Sequence, residues 1–350
     1  SIVRTLDPHR KPAVSWGHPT DVIFQGAQDF INGKAKDVSG IKVLDRYTIR
    51  FTLVQPVAVF PYILAETFNM AVPRAVVTKE SADYFASHPV GTGPFMLQSW
   101  TKGSQAVFVR NPHYFRAGRP YVDKVIVDIN VPSSLIALRV EKGEIDGSGN
   151  GSEMAAADIQ QARGDPRYAR YLVTAPLVWL SWLYLNVKAA PLDNLKMRQA
   201  IAMAVNRVKL VQLDGGNAAP TGNLYIPLYP QNDPALDRKP VYPYDPRRAA
   251  ALLKASGYTN APITVWYANN QTYDAAMAPG VLQDLRQIGL NVSLRGATDS
   301  TLNALAPTLK GLQAGFGAWA YDYPDAWDIY SSVFSCGANV VGGINSTHYC

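Results

Sequence analysis

The sequence predicts a mixed α/β chain with more than one lobe, on three observations. Residues 263–267 read as a strand, and Val281, Leu282, Leu285 and Ile288 then recur on one helical face up to Gly289. Leu290, Val292 and Leu294 alternate, which completes the strand–helix–strand order of a parallel crossover. Two hairpin patterns occupy the front of the chain instead. Residues 215–243 are rich in Pro, Gly and Asn, lack helical periodicity, and read as a segment crossing between lobes. A chain of 350 residues holds about two or three domains and buries a sizeable core.

Taken in order, Ile23, Phe24, Ala27, Phe30 and Ile31 recur at helical spacing over residues 21–31. Residues 41–53 form a hairpin. Ile41 and Val43 alternate, Asp45 and Arg46 turn, and Tyr47, Ile49, Phe51 and Leu53 alternate again. A second hairpin pairs residues 93–100 with 105–110 across a turn containing Gly103. Val125, Val127, Ile129 and Val131 make a strand, residues 134–142 a short helix stopped by Gly143, and residues 179–186 another strand. Asp193 is the predicted N-cap of a helix whose buried stripe is Met197, Ile201, Ala204, Val205 and Val208. Asp245 caps the next, with Pro246 at its first position and Gly257 after its end.

Composition excludes several classes. Lys and Arg number 33 against 27 Asp and Glu, a net charge of +6 that is scattered rather than blocked, so no nucleic-acid partner is predicted. The longest apolar stretch, residues 176–187, is too short to span a bilayer. No dinucleotide, Walker or H-E-x-x-H motif occurs, and Gly91 and Gly93 lead into a strand rather than the helix a phosphate cradle needs. The five histidines are not spaced to share a metal. His88, His113 and His348 read as exposed loop residues. No cofactor, metal or catalytic constellation is therefore predicted. The two cysteines, Cys336 and Cys350, enclose thirteen residues, and spacing alone leaves a bridge and two unrelated thiols equally open. The ends, Ser1 without a leader pattern and Cys350 without a tail, read as those of a fragment.

Four stretches, in the order found here, resemble the extracytoplasmic solute-binding proteins of the peptide/nickel ABC-transporter family. The first is residues 88–95 (HPVGTGPF), with 110–114 (RNPHY) and 118–123 (GRPYVD). The second is residues 138–146 (LRVEKGEID). The third joins 185–186 (LN), 191–200 (PLDNLKMRQA) and 204–207 (AVNR), and the fourth is 244–253 (YDPRRAAALL) with 257–258 (GY). Residues 319–325 (WAYDYPD) also fit. The resemblance covers essentially the whole chain. It implies a two-lobed periplasmic-binding-protein fold of type II, cluster C-like, with an extra β-rich subdomain and truncation at both ends. The implied division is residues 1–119 as the accessory subdomain, 120–224 as part of lobe I, and 225–350 as most of lobe II. It further implies a non-enzymatic monomer that takes a small solute, an oligopeptide or other amine, into an interlobe cleft and passes it to ABC permease subunits. The location implied is periplasmic or extracellular, with a lipid anchor as one form, and the resemblance pairs Cys336 with Cys350.

The implied ligand contact is Asp322, whose counterpart in peptide-binding relatives pairs with the ligand's α-ammonium. A carboxylate in a water-poor site holds a cation far better than one in bulk water. An aspartate just before Tyr323 and Pro324 also fits a turn or cap, and Asp325 is the structural one of the two. Trp319, Tyr321, Tyr323, Tyr225, Trp266 and Asn269 are the remaining candidates, with ordinary core packing the competing account of each aromatic. Dipeptide binders of the family hold the ligand carboxylate with an arginine in the loop after the strand matching residues 263–267. Here that loop reads ANNQTY, without Arg. A ligand-sensing regulatory domain and a hydrolase are the alternatives to transport.

Overall fold

Alternating strands at the front of the chain form small antiparallel sheets, and the continuous apolar strands further on form a parallel core covered by helices. The computed structural model describes residues 1–9, 22–149, 154, 156–169, 172–173, 177–305, 312–338 and 345–350. Its chain contacts divide into two units, Ser1–Met154 and Ala155–Cys350.

In unit 1, β1 (Ile41–Val43) and β2 (Ile49–Phe51) form the first predicted hairpin, with Val43 opposite Ile49. The Asp45 carboxylate accepts from the Tyr47 amide at 2.8 Å in the turn. The helix expected over residues 21–31 is confined to Ala27–Ile31. Gly26 at φ 76° breaks it, and a Cβ there would lie 2.4 Å from Ser39 Oγ. Phe24 packs instead against the rings of Phe51 and Phe60, and Asp21 lies outside the described residues. The second hairpin, β3 (Phe95–Thr101) and β4 (Gln105–Arg110), gains β5 (Lys124–Asp128) as an antiparallel edge. Helix α1 (Ser133–Glu141) follows, stopped by Gly143 at φ 69°, and its Arg139 pairs with Asp128 on β5 at 2.7 Å.

Unit 2 holds a four-stranded sheet of β6 (Trp179–Leu185), β7 (Ile263–Ala268), β8 (Val292–Ala297) and β9 (Ala314–Ala320), in the order β6-β9-β7-β8. The predicted crossover is present: β7 and β8 are parallel, joined by a helix at Thr272–Gln287. Its helices include α2 (Leu195–Ala204), α3 (Arg207–Leu213), α4 (Pro246–Ala255) and α5 (Thr272–Gln287). Ile201, Leu253 and Leu285 from three of them pack with Val265, Val292 and Ala314 on one sheet face. Asp245 caps α4 as expected, accepting from the Arg248 amide at 2.9 Å.

Four expectations change. The cap of α2 is Asn194, not Asp193: its side chain accepts from the Lys196 and Met197 amides. Val208 leaves the buried stripe, because α2 ends at Ala204 and α3 restarts with Asn206 as its cap. The chain contacts divide after Met154, and β6 and β9 are antiparallel hydrogen-bonded neighbours from Trp179↔Ala320 to Leu185↔Ala314. Residues 215–243 lie within unit 2, where Ile226 and Tyr229 pack on Tyr321 and Ile329. His348 is buried, because the Val187 amide donates to the Thr347 carbonyl and draws the end of the chain onto β6.

Candidate functional site

Directly opposed residues of two strands point to the same face. Leu180, Trp182 and Tyr184 on β6 lie opposite Trp319, Gly317 and Gly315 on β9, so this face of the sheet carries aromatic rings. The two glycines make room for them. A Cβ on Gly315 would sit 2.5 Å from the Tyr184 hydroxyl oxygen, and one on Gly317 would sit 2.8 Å from Trp182 Nε1. Trp266 on β7 stands on the other side of Gly315 and shares the face.

Past Ala320 the ladder continues one step, with the Tyr321 amide donating to the Val178 carbonyl at 2.8 Å. Trp319 and Tyr321 therefore do share a side. Both join Leu180, Ile226, Tyr229, Ile329 and Val333 in one apolar cluster, to which Tyr225 also packs. The Tyr321 hydroxyl donates to the Leu224 carbonyl, and its ring lies 4.6 Å from that of Tyr229. Tyr229 in turn donates its hydroxyl proton to the Tyr323 carbonyl at 2.7 Å. Tyr321 and Tyr323 flank Asp322 in the chain and are both buried.

Asp322 occupies the turn between them. Its side chain is exposed, and among the described residues its carboxylate has neither a hydrogen-bond nor an ion-pair partner. The protein around it removes enough water to raise its pKa. Asp325 is the structural aspartate, as expected: it caps α6 (Ala326–Ile329), accepting from the Trp327 amide at 2.8 Å. Asp328, missed in the sequence, is fully buried, and its carboxylate accepts from Trp319 Nε1 at 3.2 Å and from the Asp322 amide at 2.7 Å. Burial first, and the neighbouring Asp322 charge second, push its pKa up to about 7. The available sequence signal, an acid three residues after the Asp325 cap, points to a local capping role and not to this one.

The other candidates stand apart from Asp322. Trp266 packs with Tyr184 and Leu312, beneath the Arg295 guanidinium 4.6 Å from its ring, and its Nε1 has no partner among the described residues. Asn269 is exposed just past β7, its amide donating to the Ala297 carbonyl at 2.9 Å. Because β7, β8 and β9 are parallel, Asn269 and Asp322 both lie at the carboxyl edge of one sheet, where open α/β sheets place ligands. No cluster among the described residues is suited to holding a metal ion, and no helix there is long and apolar enough to cross a membrane. Cys336 and Cys350 form a disulfide with Cα atoms 5.0 Å apart, closing the segment that follows α6.

Comparison with known proteins agrees with this layout. The family described as bacterial extracellular solute-binding proteins, family 5 Middle, matches residues 1–340. The chain is 28% identical over 261 residues to the glutathione-binding protein GsiB of Salmonella paratyphi A, covering 74% of this chain and 49% of that protein. It thus spans about half the length of the curated relatives it matches. Among solved structures, the periplasmic binding protein DppA of Helicobacter pylori in complex with peptide STSA aligns with a TM-score of 0.78 at 26% identity. That alignment covers 99% of this chain and 64% of DppA. The murein tripeptide binding protein MppA of Escherichia coli has the same fold, with a TM-score of 0.81 at 18% identity over 98% of this chain and 68% of its own.

Proposed function

This chain belongs to the bacterial extracellular solute-binding proteins of family 5, and from that premise we propose that it captures a peptide or other amine-bearing solute for an ABC importer. Its partners are then the permease subunits that receive the solute, and its place of work is the periplasm or the outer cell surface. The observation that carries this reading is Asp322, an acidic side chain without a cationic partner among the described residues, at the carboxyl edge of the parallel strands β7, β8 and β9. An α-ammonium supplies the missing positive charge, and the charge-assisted bond is strongest where water is partly excluded. The complex of the similar DppA with a peptide supports the same class of solute. The absence of arginine from residues 268–273 favours a solute held at its amino end over one clamped at both ends.

Isothermal titration with tetrapeptides carrying a free or an acetylated amino terminus tests the reading. The free-amine peptides bind and the acetylated ones do not. Asp322→Asn weakens the free-amine peptides by about 2 kcal/mol, the scale of a lost charged hydrogen bond. Equal binding of both peptide forms, or an unchanged affinity in the variant, removes Asp322 from the site.

A further inference from the structure

Asp328 is fully buried, yet its two oxygens serve the Asp322 turn and not its own helix. One oxygen accepts from Trp319 Nε1, which fixes the last aromatic of β9, and the other accepts from the amide of Asp322 itself. The Tyr323 amide faces it as well. The titratable groups that interact with it are Asp322 from the turn, Tyr321 just past β9 and Tyr229 from residues 215–243; Asp325 acts in turn on Tyr229, and Tyr225 on Tyr321. Among the described residues no Lys, Arg or His pairs with it. A buried carboxylate with acceptor duties and no counter-ion lacks only a positive charge, and the one group it positions is the exposed carboxylate proposed to receive one.

We propose that Asp328 is a positioning residue of the amine site: it holds the Asp322 turn in place and supplies a second, buried negative charge that the bound ammonium neutralises, so that solute affinity follows its ionisation. This rests on the reading that Asp322 receives an ammonium. The direction follows from linkage. Without solute, burial holds the Asp328 carboxyl up to about pH 7, so below neutrality much of it is protonated. A cation above it favours the ionised form, so binding releases a proton and weakens as the pH falls. Over that range an α-ammonium itself stays protonated and does not contribute.

The test is calorimetry with free-amine tetrapeptides at about pH 5.5 and pH 7, on the wild type and on the Asp322→Asn and Asp328→Asn variants. If only the ionised form binds, wild-type affinity rises about fifteenfold from the lower to the higher pH. Asp328→Asn keeps one of the two oxygen acceptors and cannot ionise; it loses affinity at pH 7 and flattens the profile, and the flattening is what a merely structural role would not produce. The wild-type protein also reports without substitution: the Trp319 indole N–H resonance shifts with an inflection near pH 7. That shift moves to lower pH when peptide is bound. If Asp322→Asn leaves binding unchanged, the functional reading falls and this proposal with it. If Asp322→Asn weakens binding while the wild-type profile is flat, or while Asp328→Asn matches the wild type, only the role of Asp328 is overturned.

Discussion

In unit 2, Val265 and Leu285 are 0% and 1% exposed, whereas in unit 1 Ile126 and Phe115 are 58% and 74% exposed. Both units carry apolar strands and helices, but they dispose of them differently. Unit 2 covers one face of its sheet with α2, α4 and α5 and the other with Tyr184, Trp266 and their neighbours. Unit 1 divides its strands between a two-stranded and a three-stranded sheet, and β5, an edge, leaves Ile126 and Val127 in solvent. Carboxylates differ in parallel. In unit 1 Asp45 and Asp128 are held below the usual range by hydrogen bonds, from Tyr47 first in one and from Gln105 and Arg139 in the other. Among the described residues the raised carboxylates, Asp274, Asp322 and Asp328, all lie in unit 2, where burial is the leading cause, although Asp165 and Asp237 of the same unit are lowered by hydrogen bonds from Arg167 and Thr221. The rigid core and the candidate site thus share one unit, and preorganisation of a turn such as that of Asp322 depends on that core.

The sharpest way to break this comparison is to open the unit 2 core. Leu285→Ala removes a side chain packed against Val265 and Ile201, and the loss is about 2–5 kcal/mol, read by urea unfolding followed through tryptophan fluorescence. A loss below 1 kcal/mol, the scale of an exposed site, would mean that unit 2 is no better packed than unit 1.

How much of this was legible in the sequence depends on distance along the chain. The β1–β2 and β3–β4 hairpins, the Gly143 and Gly257 stops and the Asp245 cap are local, and each was readable from a few neighbouring residues. The pairing of β6 with β9 joins residues more than a hundred positions apart, and no pattern within either strand names its partner. Asp193 and Asn194 are adjacent and equally good capping types, so the choice rested on where the chain turns after Pro191. Asp322 could be singled out by resemblance. Asp328 could not be assigned to the turn, because a helix-start acid has an adequate local explanation and its real partners lie six and nine residues back.

A second, smaller effect sharpens the electrostatic side of the comparison. Asp274, near the start of α5, accepts from the Ala268 amide at 3.0 Å, and burial pushes its pKa up to about 6. A carboxyl raised in the folded state favours folding below its unfolded pKa and loses that contribution as the pH rises through the folded value. For Asp274 the loss falls between about pH 4 and pH 6. Asp274→Asn keeps the acceptor and removes the titration, so the decline in stability across that window becomes shallower in urea titrations at several pH values. In unit 1, the depressed Asp45 and Asp128 act with the opposite sign, losing their contribution as the pH falls below the ordinary carboxylate range. An unchanged slope in Asp274→Asn would mean that the buried carboxyl is not the source of the decline.

The smallest expected effect lies on the exposed edge of unit 1. Ile126 on β5 faces solvent and is opposite Val107 of β4, so Ile126→Ser removes little packing and no ladder bond. The change in unfolding free energy stays within about 0.5 kcal/mol, the range of an exposed substitution. An apolar edge strand is also a template for pairing with another chain, and a polar residue there blunts it. Ile126→Ser should therefore lower concentration-dependent association, read by light scattering, even while the unfolding midpoint hardly moves. A loss as large as that of Leu285→Ala would show instead that Ile126 is packed away from water in solution, and the contrast between the two units would collapse at its weakest point.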